Sequence, residues 1–351
     1  MAKAKIKNSG QRLLKSVDKN KGYFSTAAEL AAQTFLPIRL GLLDEAMGGG
    51  IPLGNVVEIR GKYSVGKSAL AQYLARQFQL SGGVVFWFPF EPSLLKKHLE
   101  SYNMNMQDFI IANATTVEEA FSDIRNVIAE VAEIRKDNPD FRVLIVWDSV
   151  STSNTFAQVK SDFTDKRLGA VAFAIANFIP TIRRELRAID SCLLFINQHR
   201  ASISTTAFAP TDNRPGGESL KHGSSFMATL KMKKQLKRTV NKKEEVWGYQ
   251  IKVVFDKNHS NKPKAEATFV LNFECGIDPY STLLLTAFDE GTAKRSGKYW
   301  TINGKNYTAE SVKEDFDELY TQLFVPKPKS ESEIKETKKA GARTSSRKKG
   351  K

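Results

Sequence analysis

Cysteine is scarce in this sequence, with two in 351 residues. Cys192 lies in the apolar run CLLFIN and Cys275 in FECGI, and no Cys/His pair has metal-ligand spacing, which argues against a zinc site or a disulfide framework. Isolated thiols of this kind fit a reducing compartment and a packing role. No apolar stretch is long enough to span a bilayer, and the basic N-terminus MAKAKIKNSGQRLLKS lacks the apolar core of a signal peptide. A soluble, cytoplasmic protein with no membrane partner is expected. Internal repeats are absent. Aromatic residues are missing from 326–351, a Lys/Ser/Glu-rich segment that reads as a basic disordered tail.

A hydrophobic fraction of 41% sustains a sizeable core, and a chain of this length holds one large domain with smaller appendages. The net charge of +15 suits a polyanionic partner, most simply nucleic acid.

The pattern is α/β from about Leu36. Near-continuous apolar runs at 56–60, 84–90, 109–114, 143–148 and 192–197 predict strands of a mostly parallel sheet covered on both faces. Helices are predicted between them at 67–80, 93–102, 116–136 and 166–189, the last interrupted at Pro180. Upstream, FSTAAELAAQTF reads as a short helix ending near Phe35. From Ser225 the pattern changes to long antiparallel strands, 225–238, 246–258 and 265–273. Residues 277–325 read as a small mixed segment, with KYWTING as a hairpin and AESVKEDFDELYTQL as a helix. The domains predicted are an N-terminal arm (1–35), an α/β core (36–276), a small α+β C-terminal domain (277–325) and the tail (326–351).

GKYSVGKSAL follows the strand NVVEIR and opens a helix. Gly61, Gly66, Lys67 and Ser68 match G-x-x-x-x-G-K-[ST] without departure. In such a loop the glycines bring backbone N–H groups close to phosphates, the lysine reaches the β- and γ-phosphates and the serine hydroxyl ligates Mg²⁺. The chain therefore carries a P-loop, and Gly61, Lys62, Tyr63, Ser64, Val65, Gly66, Lys67, Ser68 and Ala69 are candidate nucleotide-binding residues. VLIVWDS supplies a carboxylate, Asp148, at the end of a buried strand, where a Mg²⁺-orienting acid is needed. Glu91 ends a strand taken to neighbour the P-loop strand and is the candidate general base. CLLFINQHR ends in Asn197 and Gln198, amides placed to hydrogen-bond a γ-phosphate and to pass its presence to the loop that follows. Two long polar loops, 151–166 and 199–215, start at these strand ends.

In order and spacing these motifs resemble the RecA/RadA recombinase family. The resemblance rests on GGGIPLGNVVEIRGKYSVGKS, VLIVWDSV, FINQHR and GGESLKHGSSFMATLKM and covers about residues 36–325. NFECGIDPYSTLLLTAFDEG followed by KYWTINGKNY looks like the bacterial and phage branch. The resemblance implies a RecA-like fold and an ATP- and Mg²⁺-dependent, DNA-dependent ATPase. It also implies a helical filament on single-stranded DNA that pairs homologous double-stranded DNA and exchanges strands, in a bacterium or a phage-infected cell. A loading mediator or single-strand-binding protein is an implied partner.

By position, Lys67, Ser68 and Asp148 would hold nucleotide and Mg²⁺, Glu91 would activate water and Gln198 would sense the γ-phosphate. The adenine-stacking position falls near His98. The family's trans-acting lysine pair falls on Lys257 and His259, so the second member departs, with Lys262 or Lys264 as substitutes. The two loops become DNA loops. LGAVAFAIANF is apolar where bacterial members carry arginines, which shifts DNA contact to Lys160, Lys166, Arg167, Arg200 and Arg214, together with Ile203, Phe208, Gly216 and Gly217. FSTA places Phe24 and Ala27 in the F-x-x-A polymerisation pattern of archaeal and eukaryotic members. A RecA-fold helicase, or an ATP-binding single-stranded DNA scaffold that does not exchange strands, are the alternatives.

Overall fold

A computed structural model of the chain describes residues 33–91, 94, 96–160, 169–198, 200–201, 212–213, 220, 223–259 and 264–325, with Leu13 and Ser16 upstream. The chain divides into two units, 1–34 and 35–351, and the second is described below.

The short strands β1 (Phe35–Leu36) and β2 (Ile51–Pro52) pair antiparallel around helix α1 (Leu43–Met47). Phe35 is thus in a strand, not at the end of a helix. Then follow β3 (Asn55–Gly61), α2 (Lys67–Leu80), β4 (Val84–Pro89), α3 (Lys96–Ser101), β5 (Phe109–Ile111), α4 (Val117–Ile134) and β6 (Val143–Asp148). The chain continues through α5 (Phe156–Lys160), α6 (Ala170–Ala188), β7 (Cys192–Gln198), β8 (Arg200–Ala201), β9 (Asp212–Asn213), β10 (Phe226–Val240), β11 (Lys243–Asn258), β12 (Glu266–Asn272) and β13 (Gly276–Asp278). The C-terminal segment holds α7 (Pro279–Asp289), β14 (Ala293–Ser296), β15 (Tyr299–Ile302), β16 (Lys305–Tyr307) and α8 (Phe316–Phe324).

Nine strands form one sheet in the order β13-β12-β11-β10-β3-β7-β6-β4-β5. From β10 to β5 neighbouring strands are parallel, and from β10 to β13 antiparallel. This is the mostly parallel α/β sheet of a RecA-like core. Side chains alternate between its two faces, as a pleated strand requires. Val57, Ile59, Val85, Trp87, Leu144, Val146, Leu194 and Ile196 pack under Leu70, Leu74 and Phe78 of α2. Val56, Phe88, Ile145, Trp147, Leu193 and Phe195 pack under Ile124 and Ile128 of α4 and Ile175 and Ile182 of α6. A third cluster joins Leu236 and Val270 to Leu283, Leu284, Trp300, Ile302 and Leu319. Among the described residues, no helix is long and apolar enough to cross a membrane.

Several sequence expectations need correction. Pro180 does not interrupt α6, which runs unbroken from Ala170 to Ala188. An internal proline costs about 3 kcal/mol, but Ile175, Phe178, Ile179, Ile182 and Leu186 are all buried on that helix. Each such side chain contributes about 1.5–3 kcal/mol, so burial wins. The first part of β10 is not antiparallel to its neighbour on the sheet side: 226–230 pair parallel with 57–61 of β3, while the whole strand pairs antiparallel with β11. KYWTING is a hairpin, β15–β16, turned by Asn303 (φ 49) and Gly304 (φ 81). The last helix is shorter than expected, a 3₁₀ turn at Ser311–Lys313 preceding α8. Cys192 is buried in the core, but Cys275 is exposed at the turn before β13 and has no packing role of that kind.

Candidate nucleotide and nucleic-acid site

The strand order places four C-terminal strand ends side by side, from β3 through β7 and β6 to β4, on the edge where parallel α/β sheets bind ligands. Gly61 ends β3 directly opposite Gln198 of β7. A Cβ at Gly61 would lie 2.7 Å from the Leu230 carbonyl oxygen and 2.8 Å from Val65 Cγ2, so only glycine fits. Ser64 (φ 58) and Gly66 (φ 81) take the left-handed conformation that curls the loop. Gly66 caps α2 without a side-chain hydrogen bond, and the first turn carries no acid. Its N–H groups and dipole are therefore offered to an anion.

Lys67 is buried, and its Nζ donates to the Lys62 carbonyl at 2.8 Å. Burial lowers its pKa, and the negative charges of Glu91 and Asp148 oppose that shift. Around it, Lys62, Tyr63 and Ser64 are exposed, Val65 is buried, and Ser68 and Ala69 are half-buried.

Asp148 ends β6 and is almost wholly buried. Glu91 does not follow a neighbour of the P-loop strand, as the sequence suggested: β7 and β6 stand between β3 and β4. It reaches the site because the chain turns over the sheet edge after β4, where the Glu91 N–H donates to the Asp148 carbonyl at 3.0 Å. Gln198 Nε2 donates to Glu91 Oε2 at 2.7 Å, and Ser149 Oγ donates to the same oxygen at 3.3 Å. Ser149 in turn lies 2.8 Å from Ser151 Oγ and 3.0 Å from Thr152 Oγ1. Of the two amides ending β7, only Gln198 faces Glu91. Asn197 Nδ2 instead donates to Glu58 Oε1 at 2.9 Å, and its Oδ1 accepts the Gln198 N–H at 3.0 Å.

Lys257 and His259 stand at the end of β11. Burial lowers the pKa of each, and so does neighbouring positive charge: Arg183 acts on Lys257, and Lys257 and Arg183 act on His259. Arg183, from α6, donates to the Gly223 carbonyl at 2.6 Å. The cationic cluster thus has a member that the sequence reading missed. Lys262 lies outside the described residues, and Lys264 is exposed on a left-handed turn (φ 61).

The first candidate DNA loop is not a plain loop. Its start is a 3₁₀ turn followed by α5, with the Gln158 N–H and the Thr155 hydroxyl 3.3 Å apart and the Thr155 N–H on Gln158 Oε1 at 2.9 Å. Lys160 sits 4.3 Å over the Phe156 ring. The second loop is closed at its base by a two-residue ladder, Arg200 opposite Asn213 and Ala201 opposite Asp212. Phe24, Ala27, Lys166, Arg167, Ile203, Phe208, Arg214, Gly216 and Gly217, and the side chains of His98 and Arg200, lie outside the described residues.

The family model for the RecA N-terminal domain matches residues 25–278. The chain belongs to the RecA family. It is 27% identical over 315 residues to the protein RecA of Thermus thermophilus, covering 87% of this chain and 89% of that one. It is 28% identical over 264 residues to protein RecA of Thermosynechococcus vestitus, covering 75% and 70%, and 26% identical over 314 residues to protein RecA of Treponema denticola, covering 85% and 72%.

Within this RecA fold, several supporting residues carry no motif. Ser149 was visible only as the residue beside Asp148. Arg60 is 5% exposed and donates to Thr229 Oγ1 at 2.8 Å and to Asp256 Oδ2 at 2.6 Å, tying the P-loop strand to β10 and β11. The sequence signal for Arg60 was a charge inside an apolar run. For Arg183 it was the arginine pair after Pro180, an exposed position directly after the buried Ile182 of α6.

Proposed function

We propose that the chain is an ATP-dependent DNA recombinase that forms helical filaments on single-stranded DNA and carries out homologous pairing and strand exchange. The observation that supports this reading best is the 2.7 Å hydrogen bond from Gln198 to Glu91. It joins the general base to the strand end from which the second DNA loop departs. A phosphate oxygen that competes for the Gln198 amide releases the Glu91 carboxylate to accept a proton from water, and the same competition shifts the end of β7. Nucleotide state and DNA contact are then read at one residue.

The donor set fits ATP with Mg²⁺: a curled loop with uncapped helix N–H groups and a buried lysine for the phosphates, and hard oxygens from Ser68 and Asp148 for the cation. Mg²⁺ held there would neutralise charge developing on the phosphates. His98 would stack on the adenine. Lys257, His259 and Arg183 would contribute positive charge to a neighbouring protomer's nucleotide. Lys160, Lys166, Arg167, Arg200 and Arg214 meet DNA phosphates, with Ile203 and Phe208 against bases, a mode with little base specificity.

The domain plan in this reading is the arm to residue 35, the core 36–276, the C-terminal domain 277–325 and the basic tail. A mediator or single-strand-binding protein would load the filament. Phe24 and Ala27 would plug into the adjacent core, a heterologous contact that generates an open helix.

The test is electron microscopy with single-stranded DNA and a non-hydrolysable ATP analogue, alongside a D-loop assay with homologous duplex. Helical filaments and D-loops are expected. Rings would indicate a helicase, and filaments without D-loops a scaffold. Phe24→Glu should abolish filaments while leaving nucleotide binding; normal filaments would move the subunit contact elsewhere.

A further inference from the structure

A cleft of about 530 Å³ opens between the β10–β11 hairpin and the C-terminal segment, away from the P-loop edge. Its floor is apolar, with Leu236, Leu284 and Leu285 beside the half-buried ring of Trp247. Its rim is cationic, with Lys234 from β10 and Arg295 and Lys298 from the β14–β15 hairpin. Three cations of the neighbouring surface already have acids: Lys233 holds Asp289 at 2.9 Å, Lys237 holds Glu244 at 2.7 Å, and Arg238 holds Glu245 at 2.6 Å and Glu274 at 2.8 Å. Among the described residues, Lys234, Arg295 and Lys298 have no salt-bridge partner, and Glu310 is the one acid lining the cleft. The cleft therefore carries surplus positive charge around an apolar hollow.

We propose that this cleft docks an extended acidic peptide segment of another protein, anchored by an aliphatic side chain. Charge complementarity selects the acids, and the leucine floor selects the anchor. Duplex DNA is a poorer match. Its phosphates need cations on an open surface, and they have nothing to place in an apolar hollow. Of the two indoles that line the cleft, Trp300 offers a nucleobase no open face: the Arg295 guanidinium lies 4.8 Å over its ring, and Phe288 meets it edge-on at 5.9 Å. The site is independent of the nucleotide edge, so the proposal stands or falls apart from the recombinase reading.

The test uses the full-length chain and a fluorescent peptide, Leu-Asp-Glu-Leu-Glu-Asp, followed by anisotropy. The doubly charge-reversed variant Arg295→Glu/Lys298→Glu should bind about tenfold more weakly, and so should a peptide with serine in place of both leucines. Lys234→Glu, on a different element, gives the same reading if the double variant does not fold. Equal binding of the serine peptide, or binding unchanged by charge reversal, overturns the proposal. So does loss of affinity for a mixed-sequence duplex in these variants with no effect on the peptide, which would make the cleft a DNA surface. A chain ending at Val325 that binds the peptide about tenfold more tightly would also overturn it, since the occupant would then be the chain's own tail.

Discussion

Gln198→Glu tests the proposed water-activating arrangement most sharply, because it adds one charge and almost no volume. The amide that now donates to Glu91 Oε2 at 2.7 Å becomes a second carboxylate against the first. Two like charges about 4 Å apart repel by about 4 kcal/mol at an effective dielectric of about 20. At about 1.36 kcal/mol per pKa unit, that is a penalty of about 3 units on ionising the introduced carboxylate. Lys67, which senses the charge on Glu91, offsets part of this, so about 3 units is a ceiling. The pair titrates as a unit, and below its upper pKa one proton is held between the two oxygens where water should deliver its own. DNA-stimulated ATP hydrolysis by Gln198→Glu should therefore show an acid limb that wild type lacks, falling about tenfold per pH unit along it. Gln198→Met, which removes the donor without adding charge, should be slow without that acid limb. The assay is steady-state turnover of both variants and wild type across pH. A Gln198→Glu profile parallel to wild type would show that the carboxylates do not share a proton and that Glu91 is not the base.

Glu91→Gln should retain nucleotide binding and lower turnover by about 10²- to 10⁴-fold, whereas Lys67→Ala should abolish turnover and weaken nucleotide binding itself; calorimetric titration and an ATPase assay separate the two. Gly61→Ala forces a methyl against the Leu230 carbonyl at 2.7 Å and should cost about 1–3 kcal/mol in urea unfolding, at unchanged m-value, with loss of nucleotide binding. Thr116 and Glu119 form a capping box at the start of α4, and Thr116→Ala should cost about 0.5–2 kcal/mol. Hydrogen bonds from Thr115 lower the Glu119 pKa, so its share of stability is present above the ordinary value of 4.5 and is lost as pH falls through the lowered one; stability of Glu119→Gln against wild type across that acid range measures it.

The geometry of the Gly61–Ser68 loop and of the Asp148 strand end was legible in the sequence because its parts are local. A glycine that must avoid Leu230, a helix that must start uncapped and an acid that must close an apolar strand all leave marks within a few residues. What pairs across strands left no such mark. Glu58 with Asn197, Arg60 with Thr229 and Asp256, and Ser149 with Glu91 depend on sheet order, which one sequence does not display. The misplaced neighbour of β3 has the same origin: in a crossover topology, consecutive strands need not adjoin. Pro180 misled for a different reason, since a local preference worth about 3 kcal/mol yields to tertiary burial worth more.

The strand order itself explains why Gln198 can link the two halves of the site. β7 is the sole strand between the P-loop strand β3 and the Asp148 strand β6. Its last residue stands level with Gly61, and its Ile196 stands level with Asp148. The side chain of Gln198 therefore stands between the phosphate loop and the acidic edge, and the loop leaving β7 starts there. Placing Gln198 on β4 or β5 would give it Glu91 without the phosphates, and placing it on β10 would give it the phosphates without Glu91. In the proposed recombinase, nucleotide-dependent control of the 199–215 loop would need no long relay through the core: one amide, at the one strand end adjacent to both, would be sufficient.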